Sequence, residues 1–185
     1  IKNTQEINSV CVAVDQKDTV PEEYSKVFDH VVRIKNVGLK HPMANEWQIW
    51  DLTPFKETIH VEADMLFTTN VDHWWEQLQK HELFFTSKVK DYRGNTAKSN
   101  FYRRHFDKMH LPKLYNGLYY FRYTETAHKF FKKAKEVSAR YKPYADYFFA
   151  GHWYPETPTT DEIFAITAYM LDLDKNVYDK SYSIP

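Results

Sequence analysis

The feature that most constrains the fold is an alternation of strand-like and helix-like segments at the start of the chain. Apolar, β-branched runs are found at Ile7–Val14, His30–Ile34 and Thr58–Phe67, and helix-like segments lie between them at Pro21–Phe28 and Met43–Leu52. Strands that alternate with helices are typical of parallel sheets, because each helical crossover returns the chain to the same end of the sheet. The sequence therefore predicts an α/β protein with a mainly parallel central sheet flanked by helices.

Two carboxylates follow in the third strand-like run. Glu62 and Asp64 alternate with apolar residues, so a continuous strand would place both side chains on one face of the sheet. Ligands of parallel sheets bind beyond the carboxyl ends of the strands, and carboxylate oxygens suit Mg²⁺ or Mn²⁺. We expect Asp64 and Glu62 to hold such a cation together with substrate phosphates. The alternative for Asp64 is an ordinary solvated carboxylate in a turn.

The second part of the chain adds further helices and strands. The spacing of apolar residues predicts helices over Val71–Lys80 and Glu125–Tyr141, and strands over Leu83–Ser87 and Asn116–Phe121. The capping-box sequence Thr159–Glu162 predicts the start of a last helix.

Two stretches between these elements are predicted to be irregular. Lys88–Asn100 is polar and contains an Arg-Gly-Asn turn signal, which favours a mobile loop able to close over a ligand and exclude water. We include Lys88 of this loop among the candidate substrate-binding residues. Tyr144–Pro158 is aromatic and bounded by glycine and proline, and Trp153 within it is a candidate for stacking on a ligand ring.

Composition and charge exclude several classes of protein. The 185 residues correspond to one domain, and the 25 basic and 25 acidic side chains leave no global field that would attract nucleic acid or an anionic membrane. Cys11 is the only cysteine, so an intrachain disulfide is impossible and a reducing compartment is favoured, from which we expect a cytoplasmic protein. No apolar run approaches the roughly 18 residues of a membrane span, and no signal peptide opens the sequence.

Four elements, taken in chain order, resemble elements of GT-A-type glycosyltransferases, and of glycosyltransferase family 8 in particular. They are a helix with two tryptophans followed by Pro-Phe, a hydrophobic strand ending in an acidic x-Asp motif, an Asn-Gly turn that enters an apolar strand, and an acidic pair that opens a late helix. In this sequence they are Trp47–Phe55, Ile59–Phe67, Tyr115–Phe121 and Thr160–Phe164. The resemblance depends on the ordered set, because none of the four motifs is specific by itself.

The resemblance implies a fold, an activity and a cofactor. The fold would be one Rossmann-like GT-A domain over residues 1–185. The activity would be the transfer of a sugar from a nucleotide-sugar donor, usually a UDP-sugar, and the cofactor would be Mn²⁺ or Mg²⁺. A divalent ion of this kind absorbs the negative charge that builds on the leaving diphosphate. Asp64 would ligate the ion, and Glu62 would ligate it or hold metal-bound water or the ribose.

Residues of the last two elements would border the sugar and the acceptor. Asn116 and Gly117 match the turn beside the sugar-binding site. Asp161 or Glu162 matches the acidic position that contacts donor sugar or acceptor, where a carboxylate can take the proton of the acceptor hydroxyl. Simpler roles are open as well. Glu162 can serve only as a helix cap, and Asn116-Gly117 can be only a turn at the entry of a strand.

Three departures from the family pattern bear on these expectations. The first acidic residue of the motif is Glu62, which is one methylene longer than the aspartate of the family. The family's first strand, which helps to hold the base, has no counterpart before Ile7, and its C-terminal metal-binding histidine has none after Leu171. The expectation is then that the sequence is a fragment of a longer protein or a trimmed variant.

Other functions are open. A nucleotidyltransferase that makes a nucleotide sugar would share the fold but would need a glycine-rich, basic N-terminal loop, which this sequence lacks. A non-catalytic GT-A-like binding module would tolerate Glu62 and the missing edges of the fold. One stretch of basic residues interleaved with aromatic ones is either an ordinary solvated face, which is the commoner case, or a site for a polyanionic or nucleic-acid acceptor. These residues are Phe101, Tyr102, Arg103, Arg104, Phe106, Lys108 and Lys113.

Overall fold

A computed structural model describes residues 1–2, 4–6, 9–38, 42–87, 104–174 and 177–178. This part of the chain forms a mixed α/β fold with two sheets. The strands are β1 (Cys11–Asp15), β2 (His30–Ile34), β3 (Glu57–Val61), β4 (Leu83–Thr86), β5 (Tyr115–Arg122) and β6 (Val177–Tyr178). The helices are α1 (Glu22–Ser25), a 3₁₀ helix (Pro42–Gln48), α2 (Ile49–Leu52), α3 (His73–Leu78), α4 (Arg104–Lys108), α5 (Glu125–Ala139), α6 (Tyr141–Phe148) and α7 (Thr160–Met170).

The two sheets differ in strand direction. β1 and β2 form a parallel pair in which Cys11 lies opposite His30. The larger sheet has the order β3-β5-β4-β6; β5 is antiparallel to both of its neighbours, and only β6 pairs in parallel, with β4. The larger sheet is therefore mainly antiparallel, and the prediction of a mainly parallel central sheet is wrong for it. The apolar pattern of β5 predicts a buried strand but carries no information on its direction.

The larger sheet is covered on both faces. Every residue of β5 between its first and its last is buried. Tyr119 points to one face, where its ring contacts Phe131 of α5 and Phe164 of α7. Tyr120 points to the other face and packs in a smaller cluster with Leu78 of α3. The alternation of side chains along an extended strand explains this division into two apolar layers.

The helix predicted over Glu125–Tyr141 is confirmed by α5 as far as Ala139, and Tyr141 is the first residue of α6. Thr124 caps its N-terminus, because the Thr124 side chain accepts a hydrogen bond from the Ala127 backbone N–H. The predicted apolar face is buried along its whole length. Its members are Ala127, Phe130, Phe131, Ala134, Val137 and Tyr141.

Two predictions of local structure are wrong. Met43–Leu52 is mostly a 3₁₀ helix followed by the short helix α2, so Met43 does not share the buried stripe of the two tryptophans and is 48% exposed. Tyr144–Pro158 is not irregular throughout, since α6 includes its first residues. Pro143 lies in the first turn of α6, where a backbone N–H would have no helical acceptor, so the proline does not prevent the helix.

The third strand also ends earlier than predicted. β3 stops at Val61, and the Met65 backbone N–H donates to the Glu62 carbonyl oxygen at 3.2 Å in a turn. Glu62 and Asp64 therefore do not share one face of a continuous strand, as the alternation of residues implied. Of the helices described, none is long and apolar enough to cross a membrane. The predicted loop Lys88–Asn100 lies outside the described residues.

Candidate functional site

The end of β3 meets the start of β5. The Glu62 backbone N–H donates to the Gly117 carbonyl oxygen at 3.1 Å, which extends the β3–β5 pairing by one residue. A Cβ atom at Gly117 would lie 2.7 Å from the Tyr115 ring and 3.3 Å from Glu62 Oε2. The absence of a side chain at Gly117 is therefore what lets the Glu62 carboxylate lie against β5.

Asn116 is held by carboxylates from two other elements. Its backbone N–H donates to Asp161 Oδ1 at 2.7 Å, and its side-chain Nδ2 donates to Glu46 Oε2 at 2.6 Å. Glu46 belongs to the 3₁₀ helix and Asp161 to the first turn of α7. Asn116 itself is only 4% exposed. Three segments that are distant in sequence thus converge on one asparagine.

The carboxylates of this region repel one another. Burial raises the pKa of Glu46 from 4.5 to about 7; hydrogen bonds from Thr160 and Asn116 oppose the shift, and the charges of Glu62 and Asp161 add to it. Burial also raises the pKa of Glu62, and the charges of Asp64 and Asp161 add to this. Glu62 is therefore within electrostatic reach of the other three carboxylates, and Glu46 is within reach of Glu62 and Asp161. We call Glu46, Glu62, Asp64 and Asp161 the acidic cluster.

The hydrogen bonds of the Thr160 hydroxyl are consistent with a raised pKa of Glu46. The Thr160 hydroxyl lies within hydrogen-bonding distance of the Met43 carbonyl oxygen and is 2.9 Å from Glu46 Oε2. One hydroxyl carries one proton, so it can donate to only one of these acceptors at a time. A proton on Glu46 removes the competition, because the carboxyl O–H can then donate to Thr160 Oγ1.

A buried polar atom at the cluster has no hydrogen-bond partner within the described part of the chain. This atom is Asn116 Oδ1, at the end of the carboxamide opposite the Nδ2 that Glu46 binds. An unpaired buried acceptor costs roughly 1–3 kcal/mol, and native proteins satisfy almost all such groups with protein, water or ligand. The cluster therefore contains an acceptor suited to a hydroxyl or N–H donor from outside the described residues, such as a ligand hydroxyl.

Glu62 and Asp64 fit a cation that also binds phosphates. Asp64 lies exposed in the turn after β3, and Glu62 is half-buried beside it. In the residues that the structure describes, no three histidine, cysteine or acidic side chains are arranged to hold a metal by themselves. Mg²⁺ and Mn²⁺ are commonly bound by one or two carboxylates, with substrate phosphates and water completing the shell. Burial raises the pKa of Glu62 and repulsion from Asp64 and Asp161 adds to this effect; a divalent cation would relieve the repulsion.

The other predicted site residues lie in different settings. Glu162 is fully buried, and its Oε2 accepts a hydrogen bond from the Thr159 backbone N–H at 3.0 Å, as part of the predicted capping box. This geometry favours the capping role of Glu162. Trp153 is 63% exposed on the segment between α6 and α7, so its ring is available to a ligand. Lys88 lies outside the described residues.

The basic and aromatic stretch before β5 is only partly described. Phe106 is 1% exposed and belongs to the core, so it cannot stack on an acceptor. Lys113 forms an ion pair with Asp107, and Lys108 is exposed. The side chains of Phe101 to Arg104 lie outside the described part. The hypothesis of a polyanionic acceptor stays a prediction.

Glu46 is the residue that sequence reasoning missed. The sequence predicts a helix over Met43–Leu52, and this prediction gives Glu46 no role. Trp47 of the 3₁₀ helix and Trp50 of α2 are buried in the core, and the 3₁₀ helix directs Glu46 to Asn116. The available signal was the position of Glu46 directly before a buried tryptophan, because an acidic residue there needs a hydrogen-bonding partner.

A shallow cleft lies apart from the acidic cluster. Its volume is about 620 Å³, and its lining comes from β1, α1 and the segment between them. Val12 and Val14 are among its apolar lining residues, and Lys17 and Asp18 are its charged residues. The chemistry described above is therefore not located in this cleft.

Comparison with known proteins assigns the chain to no family. No protein-family model matches it, and searches among curated proteins and among solved structures find no match. The class that the structure defines is a mixed α/β protein with an acidic cluster at one edge of its larger sheet.

Proposed function

We propose that the protein is a metal-dependent glycosyltransferase of the GT-A type that uses a nucleotide-sugar donor, with a UDP-sugar as the first choice. One observation supports this most: Glu62, Asn116-Gly117 and Asp161 come from three of the four elements that resemble the family, and they meet at one place. Asn116 and Asp161 are 45 residues apart in the chain and share a 2.7 Å hydrogen bond.

In this proposal the residues divide the chemistry between them. Asp64 and Glu62 hold Mn²⁺ or Mg²⁺, which supplies charge stabilisation at the donor diphosphate when it is bound. Asn116 and Gly117 border the donor sugar. The bond between the anomeric carbon and the diphosphate oxygen breaks while the acceptor oxygen bonds to that carbon. Asp161 accepts the acceptor's hydroxyl proton as general base.

The proposal is tested by thermal melts with UDP, GDP and dTDP, each with and without Mn²⁺. A ligand that binds only the native state raises the melting temperature by mass action. We expect a rise that needs both Mn²⁺ and one nucleotide, and that is lost in Asp64→Ala but kept in the control Asp51→Ala, which removes an exposed carboxylate of α2. Absence of any rise in the native protein would contradict the proposal.

Turnover separates the transferase from its alternatives. Release of UDP from a UDP-sugar in the presence of Mn²⁺ and a mixture of saccharide acceptors is expected of the transferase. A non-catalytic binding module would show the thermal shift without UDP release. A nucleotidyltransferase would instead form UDP-sugar and pyrophosphate from UTP and a sugar phosphate.

A further inference from the structure

We propose that Glu46 is a positioning residue of this site, which holds the carboxamide of Asn116 so that its Oδ1 accepts a hydrogen bond from a hydroxyl of the bound sugar. The inference rests on the proposed function for the identity of the ligand. Its structural half, that Glu46 fixes Asn116, depends only on the contacts of the protein. The two halves are therefore tested separately.

The contacts of Glu46 tie three elements together. Its Oε2 accepts a hydrogen bond from Asn116 Nδ2 at 2.6 Å and lies 2.9 Å from the hydroxyl oxygen of Thr160. Glu46 stands in the 3₁₀ helix, Asn116 in β5 and Thr160 at the start of α7. Because Asn116 is 4% exposed and Thr160 is also buried, little water can replace these bonds. Loss of the Glu46 side chain would leave the Asn116 amide without this acceptor.

The contact between Glu46 and Asn116 also decides which end of the Asn116 carboxamide is left for a ligand. Glu46 accepts from Asn116 both as a carboxylate and when its proton is donated to Thr160 Oγ1, so it selects the NH₂ end of Asn116. A flipped carboxamide would bring Oδ1 against Glu46 Oε2, and two acceptors at that distance repel. With Nδ2 committed to Glu46, Oδ1 is the end that has no partner in the described chain.

An acceptor presented among carboxylates selects the chemistry of its ligand. Asp161 Oδ1 lies 2.7 Å from the backbone nitrogen of Asn116, and Glu62 Oε2 would lie 3.3 Å from a Cβ atom at Gly117, so the region is acidic on more than one side. A hydroxyl can donate to Asn116 Oδ1, whereas a carboxylate on the ligand would meet two or three like charges. The ligand group at this place is therefore a hydroxyl of a neutral sugar rather than the acid group of a uronic acid.

The structural half is tested by NMR of the side-chain NH₂ group of Asn116 in ¹⁵N-labelled protein without ligand. In the native protein we expect exchange with solvent at least tenfold slower than for exposed asparagines. Glu46→Gln keeps an acceptor oxygen and should keep the slow exchange, and Glu46→Ala should lose it. Unchanged exchange in a folded Glu46→Ala protein would overturn the claim that Glu46 holds Asn116.

The ligand half is tested by titration calorimetry with Mn²⁺ and either UDP or one of UDP-glucose, UDP-galactose and UDP-N-acetylglucosamine. We expect the native protein to bind at least one of these three UDP-sugars more tightly than it binds UDP. Glu46→Ala should abolish that improvement while binding UDP within about twofold of the native protein, and Glu46→Gln should restore it. UDP-glucuronate should bind no better than UDP.

The outcomes separate this inference from the proposed function. An improvement by the sugar that survives Glu46→Ala overturns the positioning role and leaves the transferase proposal standing. Equal loss of UDP and UDP-sugar binding in Glu46→Ala shows a general structural role and also overturns it. If the native protein binds no nucleotide, the proposed function and the ligand half fail together, and the NMR result alone decides the structural half.

Discussion

The two acidic pairs of the chain, Glu62/Asp64 and Asp161/Glu162, have the same pattern in sequence but opposite arrangements in the structure. The first pair follows the end of β3, where Glu62 is half-buried against β5 and Asp64 is exposed. The second pair opens α7, where Asp161 binds the Asn116 backbone and Glu162 is fully buried as a cap. Each pair thus contributes one residue to the contacts around Asn116-Gly117.

The comparison shows that closeness in sequence does not make a functional pair. Glu62 and Asp161 belong to different elements, yet the charge of Asp161 helps to raise the pKa of Glu62. Glu162 stands next to Asp161 but its carboxylate serves the backbone of its own helix. Substitutions at these positions should therefore separate stability from ligand binding.

The largest effect on stability is expected from Glu46→Gln at alkaline pH. Because the pKa of Glu46 is raised from 4.5 to about 7 on folding, its proton stabilises the native state fully below pH 4.5, and this contribution is lost as the pH rises through 7. The glutamine variant should be more stable than the native protein by about 3 kcal/mol near pH 9 and equally stable near pH 4.5. Urea unfolding at both pH values measures the difference.

A second titrating group acts in the opposite direction but cancels in this comparison. Burial lowers the pKa of His60 to about 4, so its contribution to stability is lost as the pH falls from 6.5 towards 4. His60 is present in both proteins, and the difference between them isolates Glu46. Equal stability of the two proteins near pH 9 would show that Glu46 is not a buried acid.

Glu162→Ala should destabilise the protein by about 2 kcal/mol, because it removes a capping acceptor and leaves a space at a fully buried position. Glu162→Gln keeps the acceptor oxygen and should cost less than half as much. Below its unfolding temperature, Glu162→Ala should still bind nucleotide with Mn²⁺. Loss of nucleotide binding in the folded Glu162→Gln protein would instead show that Glu162 takes part in ligand binding.

Gly117→Ala should destabilise the protein by about 1–2 kcal/mol and weaken ligand binding at the same time. The added Cβ would lie 2.7 Å from the Tyr115 ring and 3.3 Å from Glu62 Oε2, so both side chains must move. Gly151→Ala is the matched control, because Gly151 has φ of +75° and open space around it. That control should cost a similar 1–2 kcal/mol through backbone strain without affecting ligand binding. Equal ligand affinity in both variants would show that Gly117 does not border the ligand.

Asp64→Ala should have the smallest effect on stability, within about 0.5 kcal/mol, because the residue is exposed in a turn. The same change should abolish the nucleotide binding that requires Mn²⁺. Denaturant unfolding and nucleotide titrations with and without Mn²⁺ check the two statements. Metal-dependent binding that persists in Asp64→Ala would remove Asp64 from the cation site.

Local signals in the sequence predicted much of the secondary structure. β2 has the predicted bounds His30–Ile34, α5 buries its predicted face, and the capping box opens α7. These signals depend on neighbouring residues only, through apolar spacing and hydrogen bonds within one helix turn. Strand direction depends on contacts between distant segments, which is why the antiparallel placement of β5 could not be predicted from its apolar run.

The candidate site was also predictable only in part, because motifs are local signals and contacts between distant segments are not. Glu62, Asn116, Gly117 and Asp161 were named from motifs, and the structure brings them together. Glu46 was missed because its role arises from the 3₁₀ geometry of its segment and from its partner Asn116, 70 residues later. The turn after Val61 was missed because alternation of polar and apolar residues continues past the last paired residue of β3.

The most direct measurement of the central claim is a calorimetric titration of UDP in the presence of Mn²⁺ into the native protein, Glu62→Gln and Glu162→Gln. The account predicts at least tenfold weaker binding by Glu62→Gln, because it removes a charge that faces the cation, and native affinity in Glu162→Gln. Binding that is equally affected by the two substitutions, or by neither, would contradict the division between a site carboxylate and a helix cap on which the proposed function depends.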